Sequence, residues 1–336
     1  MIVDARALDV EAVPSEILRR NNELNALSSG LEPLLDGYRG DHAMVVGPPG
    51  SGKTACARYA VGQLRRSLVD VRTQYIDCWQ HSSRFATLLK LVEGIGQSMD
   101  VQQHSTPHDE LLRRIRDADG RPYVVILDEA DQLDCREDIL YELTRLHHVY
   151  TILICNRERD LLDGLDRRVV SRLSGCQRIE FDSYSRDVLV EILQRRAEIA
   201  LERGSLEAGV LEEIAEVAAG DARVAIRTLA EAAKCADRES RQIRSDDVEQ
   251  ANVDALDSLL QVVISKLTRH QRVLYYAMRD GDQERWSISE LHDVYADEVD
   301  NPRTKKTVKR YLKKMAHYEA VGFEGEARGR EYWAKT

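Results

Sequence analysis

Apolar residues recur along this chain in two periods. YVVILD (Tyr123–Asp128) and YTILICN (150–156) are near-continuous apolar runs, the pattern of strands buried on both faces. HAMVV (42–46), VRTQYID (71–77) and CQRIEF (176–181) are shorter runs of the same kind, and helical segments separate all five. That alternation predicts a parallel α/β sheet with crossover helices. Upstream, Ile17, Leu18, Leu24, Leu27, Leu31, Leu34 and Leu35 recur at helical spacing, which predicts a helix from Ser15 to about Leu35. Residues 79–118 read as two helices joined by the polar stretch QQHSTPHD. After Ser183 the strands stop, and helical patterns follow at about 185–203, 207–219, 222–238 and 245–266. The first three read as a helical lid on the α/β body. From Thr268 the pattern changes again. Thr268 with Gln271, and Ser287 with Glu290, form capping boxes that open two helices. A third helix runs over about 303–318, and GFEGEARGREYW then alternates like a β-hairpin with glycines at Gly325 and Gly329. Three helices and a hairpin make a winged-helix pattern. The expected division is an α/β domain over 1–183, a helical lid over 184–253 and a winged helix over 254–336.

Composition narrows the class. With 336 residues, 43% hydrophobic and 32% charged, the chain can bury more than one core and is not a disordered tail. It has no run of 18 apolar residues and no apolar leader, so a cytoplasmic protein without a membrane span is expected. Six cysteines are spread evenly with no C-x-x-C pair, which reads as reduced thiols rather than a disulfide or zinc framework. The net charge of −10 excludes a protein that coats nucleic acid over its whole surface. The basic residues are unevenly placed, however. Of 48 Lys and Arg only ten are Lys, and five of those ten lie between Lys305 and Lys314.

The residues with chemistry to offer sit at the ends of the expected strands. Gly47-Pro48-Pro49-Gly50-Ser51-Gly52-Lys53-Thr54 is G-x-x-x-x-G-K-T, after a strand and before a helix, the context a P-loop needs. Its glycines let backbone N–H groups curl around phosphate oxygens, and the helix start adds the positive end of its dipole. Lys53 is expected on the β- and γ-phosphates and the Thr54 hydroxyl on Mg²⁺, so ATP or ADP with Mg²⁺ is the expected cofactor set. Asp128 ends a buried strand where a carboxylate can hold the metal, and Glu129 follows as the general base for an attacking water. Asn156 closes the strand 150–156, beside the crevice where ligands of such sheets bind, and could orient that water. Arg167, Arg168 and Arg172 in GLDRRVVSRL offer guanidinium groups for γ-phosphate charge, supplied to a neighbouring subunit, with Arg172 the first choice and Arg168 the second. Arg223, in GDARVAIRTL, opens a lid helix from which it could reach the same phosphate.

The basic spot is one helix. Arg303, Lys305, Lys306, Lys309, Arg310, Lys313 and Lys314 occur there without an acid, while Val308, Leu312 and Met315 at i, i+4 and i+7 face a core. As the third helix of a winged helix it would enter a DNA major groove, with Arg328 and Arg330 of the hairpin reaching phosphates or the minor groove. Tyr311, Phe323, Tyr332 and Trp333 read as core rather than as platforms for bases.

Taken in this order, the P-loop, ILDEADQL, the strand-closing Asn156, GDARVAI and the C-terminal basic helix resemble the archaeal Orc/Cdc-type replication initiators, AAA+ relatives of the eukaryotic origin recognition complex. The resemblance covers about residues 13–336. It implies an AAA+ core with a helical lid and a C-terminal winged helix, slow switch-like ATP hydrolysis, origin duplex DNA as partner, and contacts with the replicative helicase and other initiator copies. It also implies that Val13, Ile17 and Arg20, in VP…ILRRNNEL, border the adenine, and that residues 79–110 hold a helical insertion that contacts DNA. Two other readings stay open at the level of sequence. One is an ATP-controlled DNA-binding regulator of transcription or plasmid maintenance, and the other a clamp-loader-like ATPase whose C-terminal domain binds protein.

Overall fold

The structure is a computed structural model that describes residues 1–36, 38, 40–68, 70–102, 105–326 and 329–335. The chain forms two compact units, Met1–Asn252 and Val253–Thr336.

In the first unit, α1 (Asn21–Leu31) precedes β1 (Ala43–Val46), and α2 (Lys53–Ser67) leads to β2 (Arg72–Asp77). Then α3 (Arg84–Gly94), α4 (His108–Arg116), β3 (Tyr123–Asp128), α5 (Arg136–Leu143), β4 (Val149–Cys155), α6 (Glu158–Leu162), α7 (Arg167–Leu173) and β5 (Gln177–Glu180) complete the α/β body. The sheet order is β2-β3-β4-β1-β5, and every pairing is parallel. Both central strands are buried along their whole length. Their side chains alternate between two cores. Val125, Leu127 and Leu153 face Leu88, Leu91, Leu111, Ile115 and Leu140 on one side. Val124, Ile126, Ile152 and Ile154 face Leu27, Leu31, Ala57 and Ala60 on the other. A continuous apolar run is therefore required, because no strand face meets water; burying each such side chain contributes about 1.5–3 kcal/mol.

The lid follows within the same unit as α8 (Arg186–Ala200), α9 (Val210–Val217) and α10 (Ala222–Arg238), with α11 (Asp246–Lys266) running across the boundary between units. Leu189, Leu193, Ile214 and Leu229 form its core with the alanine face of α10 (Ala225, Ala232, Ala233 and Ala236), and Leu8 of an N-terminal 3-10 turn inserts among them. The Asp221 side chain caps α10 by accepting from the N–H groups of Arg223 and Val224.

The second unit contains α12 (Arg269–Asp280), β6 (Trp286–Ser287), α13 (Ile288–Glu298), α14 (Lys305–His317), β7 (Val321–Glu324) and β8 (Glu331–Ala334). Both expected capping boxes form, at Thr268/Gln271 and Ser287/Glu290. Leu274, Met278, Leu291, Val308, Leu312 and Met315 are buried. The strands make an antiparallel sheet in the order β6-β8-β7.

The structure differs from the sequence expectation in three places. The helix expected from Ser15 begins only at Asn21, because Arg19 takes a left-handed backbone (φ 55°) and the chain then turns to bury Arg20. At its far end the helix tightens into a 3-10 turn over Glu32–Asp36, which leaves Leu35 exposed. The two-residue strand β6 was not expected; it pairs Trp286 with Tyr332 and buries the indole. Phe323 is not core: it is exposed, with the Arg330 guanidinium 4.7 Å from its ring centroid.

Candidate nucleotide site and basic helix

The P-loop joins β1 to α2 at the carboxyl end of the sheet. Gly50 and Gly52 hold φ values of 70° and 91°, in the left-handed region that glycine occupies without strain. A Cβ at Gly50 would lie 1.9 Å from the Asp221 carboxylate, and one at Gly52 would lie 2.4 Å from the Tyr184 hydroxyl. The loop is thus packed directly against the lid's first residues. Ser51 Oγ donates to the Pro48 carbonyl at 2.8 Å and tightens the turn. Lys53 is buried. Its Nζ donates to the carbonyls of Gly47 and Pro48 at 2.7 Å each and to Asn156 Oδ1 at 3.2 Å. Burial lowers its pKa to about 8; the Asp128 charge opposes that shift and Arg223 adds to it.

Two strands away, Asp128 ends β3 at the level of the loop. One carboxylate oxygen, Oδ2, accepts from Thr54 Oγ1 at 2.7 Å and from the Tyr75 hydroxyl at 2.9 Å, while Oδ1 accepts from the Glu129 N–H at 3.0 Å. Burial pushes the Asp128 pKa up, and the Thr54 and Tyr75 hydrogen bonds pull it part of the way back. A buried carboxylate beside a threonine hydroxyl is a hard-oxygen donor pair suited to a divalent cation, whose charge would relieve that burial. Glu129 follows at φ 54°, half-buried. Such a backbone is uncommon for glutamate. The structure therefore brings Lys53, Thr54, Asp128, Glu129 and Asn156 to one end of the sheet.

The expected base-binding residues come from the segment before α1. Arg20 is buried, with its guanidinium 4.2 Å from the Tyr184 ring centroid and 5.1 Å from that of Phe181. It donates to Glu23 Oε1 at 2.8 Å and to the Asp182 carbonyl. Ile17 packs against the core beneath α1 and α2, and Val13 is half-buried. From the lid, the Ala222 N–H donates to the Gly50 carbonyl at 3.2 Å. Arg223 forms an ion pair with Asp221, Nη2 to Oδ2 at 2.8 Å. Burial opposes the Asp221 charge, but Arg223 and the cap N–H groups hold its pKa below the usual carboxylate value.

Arg167, Arg168 and Arg172 are exposed on α7, around an open hollow of about 460 Å³ that they share with Tyr141 and Ser171. Arg172 lies 5.1 Å from the Tyr141 ring centroid, whereas Arg168 is tied to Asp166, which caps the helix. In the second unit, α14 exposes Lys305, Lys306, Lys309, Arg310 and Lys313. Arg303 is exposed just before it, and Lys314 is half-buried. Thr304 caps the helix by accepting from the Thr307 N–H. The loop before it is tied down where the Arg303 N–H donates to the Tyr295 hydroxyl and His292 bonds the Arg303 carbonyl. Arg330 is half-buried over Phe323. Arg328 lies outside the described residues.

Sequence reasoning missed three side chains at the nucleotide site. Asp221 was legible as the acid before a helix, a cap pattern. Tyr184 and Tyr75 carried no signal, since their roles depend on which strands and helices become neighbours.

A family profile described as "AAA domain" matches residues 38–162, and one described as "Cdc6 AAA+ ATPase-type lid domain" matches residues 190–253. The chain is 41% identical over 333 residues to "ORC1-type DNA replication protein 9" of Halobacterium salinarum, covering 99% of this chain and 93% of that one. It is 42% identical over 310 residues to "ORC1-type DNA replication protein 1" of the same organism, covering 92% and 100%. Among solved structures it is similar to the Aeropyrum pernix ORC1 protein in complex with DNA, with 25% identity, a TM-score of 0.81, and coverage of 99% of this chain and 93% of that one.

Proposed function

Since the chain belongs to the family of ORC1-type DNA replication proteins and is an AAA+ ATPase, we propose that it is an ATP-dependent replication initiator that binds origin duplex DNA and supports helicase recruitment. The observation that carries this reading is the pairing of a complete P-loop site with an acid-free helix bearing six Lys and Arg, with Arg303 just before it, on a chain of net charge −10. In such a chain, attraction to DNA has to be local. We propose the division 1–183, 184–253 and 254–336 into ATPase, lid and winged helix. The helices and three-stranded sheet of the second unit support the last of these. The Aeropyrum ORC1 protein, bound to DNA in its solved structure, supports duplex DNA as the partner. No helix among the described residues is long and apolar enough to cross a membrane, and a cytoplasmic site of action fits a protein that meets the chromosome.

At the nucleotide, Arg20, Ile17 and Val13 border the base. Lys53 exchanges the carbonyls of Gly47 and Pro48 for β- and γ-phosphate oxygens, joined by P-loop N–H groups. Thr54 and Asp128 would hold Mg²⁺, which would neutralise charge that develops on the phosphates. Glu129 takes the proton of the attacking water, and Asn156 orients that water. Arg223 leaves Asp221 for the γ-phosphate, and Arg172 serves the site of a neighbouring copy.

The test is a salt series of binding isotherms on a cognate and a scrambled duplex. If three or four cations of α14 touch phosphates, log affinity falls with log salt at a slope of about −3 to −4. Reversing Lys309 and Lys313 to Glu flattens that slope and weakens both duplexes alike. Isotherms unchanged by the double reversal would refute docking by this helix and favour the clamp-loader-like reading, in which the second unit binds protein.

A further inference from the structure

Asp128 is held from three directions, and one of the three groups has no part in the phosphate chemistry. Tyr75 stands on β2, the edge strand beside β3, opposite Ile126, and its side chain reaches two residues along to the carboxylate. Its hydroxyl donates to Oδ2 at 2.9 Å, the same oxygen that takes the Thr54 hydroxyl at 2.7 Å. With the Glu129 N–H on Oδ1, these bonds define the plane of the carboxylate rather than only its position. The ring is itself held. The Arg58 guanidinium, one helical turn after Thr54 on α2, lies 5.5 Å from the ring centroid and is fixed by the Glu11 carbonyl at 3.2 Å. The phenol is thus held between α2, through Arg58, and the end of β3, through Asp128.

We propose that Tyr75 is a positioning residue of the metal–nucleotide site, its hydroxyl fixing the Asp128 carboxylate so that a free lone pair faces a small divalent cation beside Thr54. The proposal rests on the reading of this site as a magnesium–nucleotide site. Magnesium demands near-ideal octahedral geometry and calcium accepts a flexible ligand set, so a carboxylate free to rotate penalises magnesium more than calcium. A ring that only fills space has no such selectivity.

The experiment compares the full chain with its Tyr75→Phe variant, which keeps the ring and the Arg58 contact. ADP affinity is titrated in EDTA, in magnesium and in calcium, and ATP turnover is followed alongside. The expected result is unchanged ADP affinity in EDTA, a magnesium-dependent gain reduced about tenfold, the scale of one lost hydrogen bond to a charged group, and a calcium-dependent gain reduced far less. Glu129→Gln, which removes the base but no group proposed to hold the metal, keeps its magnesium-dependent gain while turnover falls. A wild type that gains from magnesium, with a Tyr75→Phe variant gaining equally, overturns the role of Tyr75 alone. Equal losses for both cations and in EDTA overturn it also, by showing a packing role. A wild type with no metal-dependent gain overturns the metal–nucleotide reading and this proposal with it.

Discussion

If Lys53 meets the nucleotide's phosphates as proposed, nucleotide binding should take up protons under mildly alkaline conditions. In the free protein its ammonium is buried against two carbonyls and one amide oxygen, none of them charged, and its pKa falls to about 8. Against the β- and γ-phosphates the same group gains several formal negative charges, which restore a value near or above the ordinary one of about 10.4. Between those two values the complex carries a proton that the free protein has lost. At pH 8 about half a proton should be taken up per nucleotide bound, and at pH 9 about nine-tenths. Affinity should fall about twofold by pH 8 and about tenfold by pH 9, relative to its plateau at lower pH. Folding stability without nucleotide should move the other way. The unfolded chain holds more protons than the folded one between pH 8 and the ordinary lysine value, so the Lys53 contribution rises across that window and is lost as pH falls through 8. The assay is calorimetric titration of a non-hydrolysable ATP analogue in buffers of different ionisation enthalpy, with Lys53→Met as the reference that removes the contribution of other groups. Equal proton uptake in the wild type and Lys53→Met at pH 8.5 would refute the argument.

Two further outcomes follow from the same geometry. Gly50→Ala should destabilise the first unit by about 1–3 kcal/mol, because its Cβ meets the Asp221 carboxylate at 1.9 Å on a left-handed backbone; a double-mutant cycle with Asp221→Ser should be strongly non-additive, and additive losses in thermal unfolding would disprove the contact. Arg172→Ala should remove the dependence of turnover per subunit on protein concentration, by a factor of up to about 10³ where copies meet; a wild-type rate that stays flat across dilution counts against a finger supplied to a neighbour.

Much of the fold was legible because its signals are local. A strand buried on both faces has to be apolar at every position, and β3 and β4 are. The P-loop announces itself through glycines that the backbone requires, and the capping boxes at Thr268 and Ser287 are closed by residues three apart. The failures are where tertiary contacts decide. Ile17 and Leu18 have helical spacing, but the pull of Phe181, Tyr184 and the Asp182 carbonyl on Arg20 turns the backbone there instead. Trp286 and Ser287 are too short a run to show a strand period, and only pairing with β8 makes them one. Phe323 follows the hairpin's alternation and shares a face with buried Val321 and Tyr332, yet it lies towards the end of β7 and stays exposed, with Arg330 4.7 Å from its ring centroid. Lys53 and Asn156 are 103 residues apart, and only the pairing of β1 with β4 makes them neighbours.

The P-loop also explains why the lid cannot be indifferent to the nucleotide. Asp221 serves three partners at once: it caps α10, pairs with Arg223, and packs its carboxylate over Gly50 while the next N–H bonds the Gly50 carbonyl. On the proposed reading, a γ-phosphate at Lys53 would offer Arg223 a stronger partner than Asp221. If Arg223 turns to the phosphate, Asp221 keeps its cap but loses the guanidinium that holds its pKa down, so the start of α10 is re-poised by each phosphate gained or lost. Because α10 forms one face of the lid core with Leu189, Leu193 and Ile214, a shift at its first turn is carried by packed side chains rather than absorbed in a loop. On the proposed reading, binding or releasing a phosphate would be enough to bias the lid, and slow turnover would then be compatible with switching.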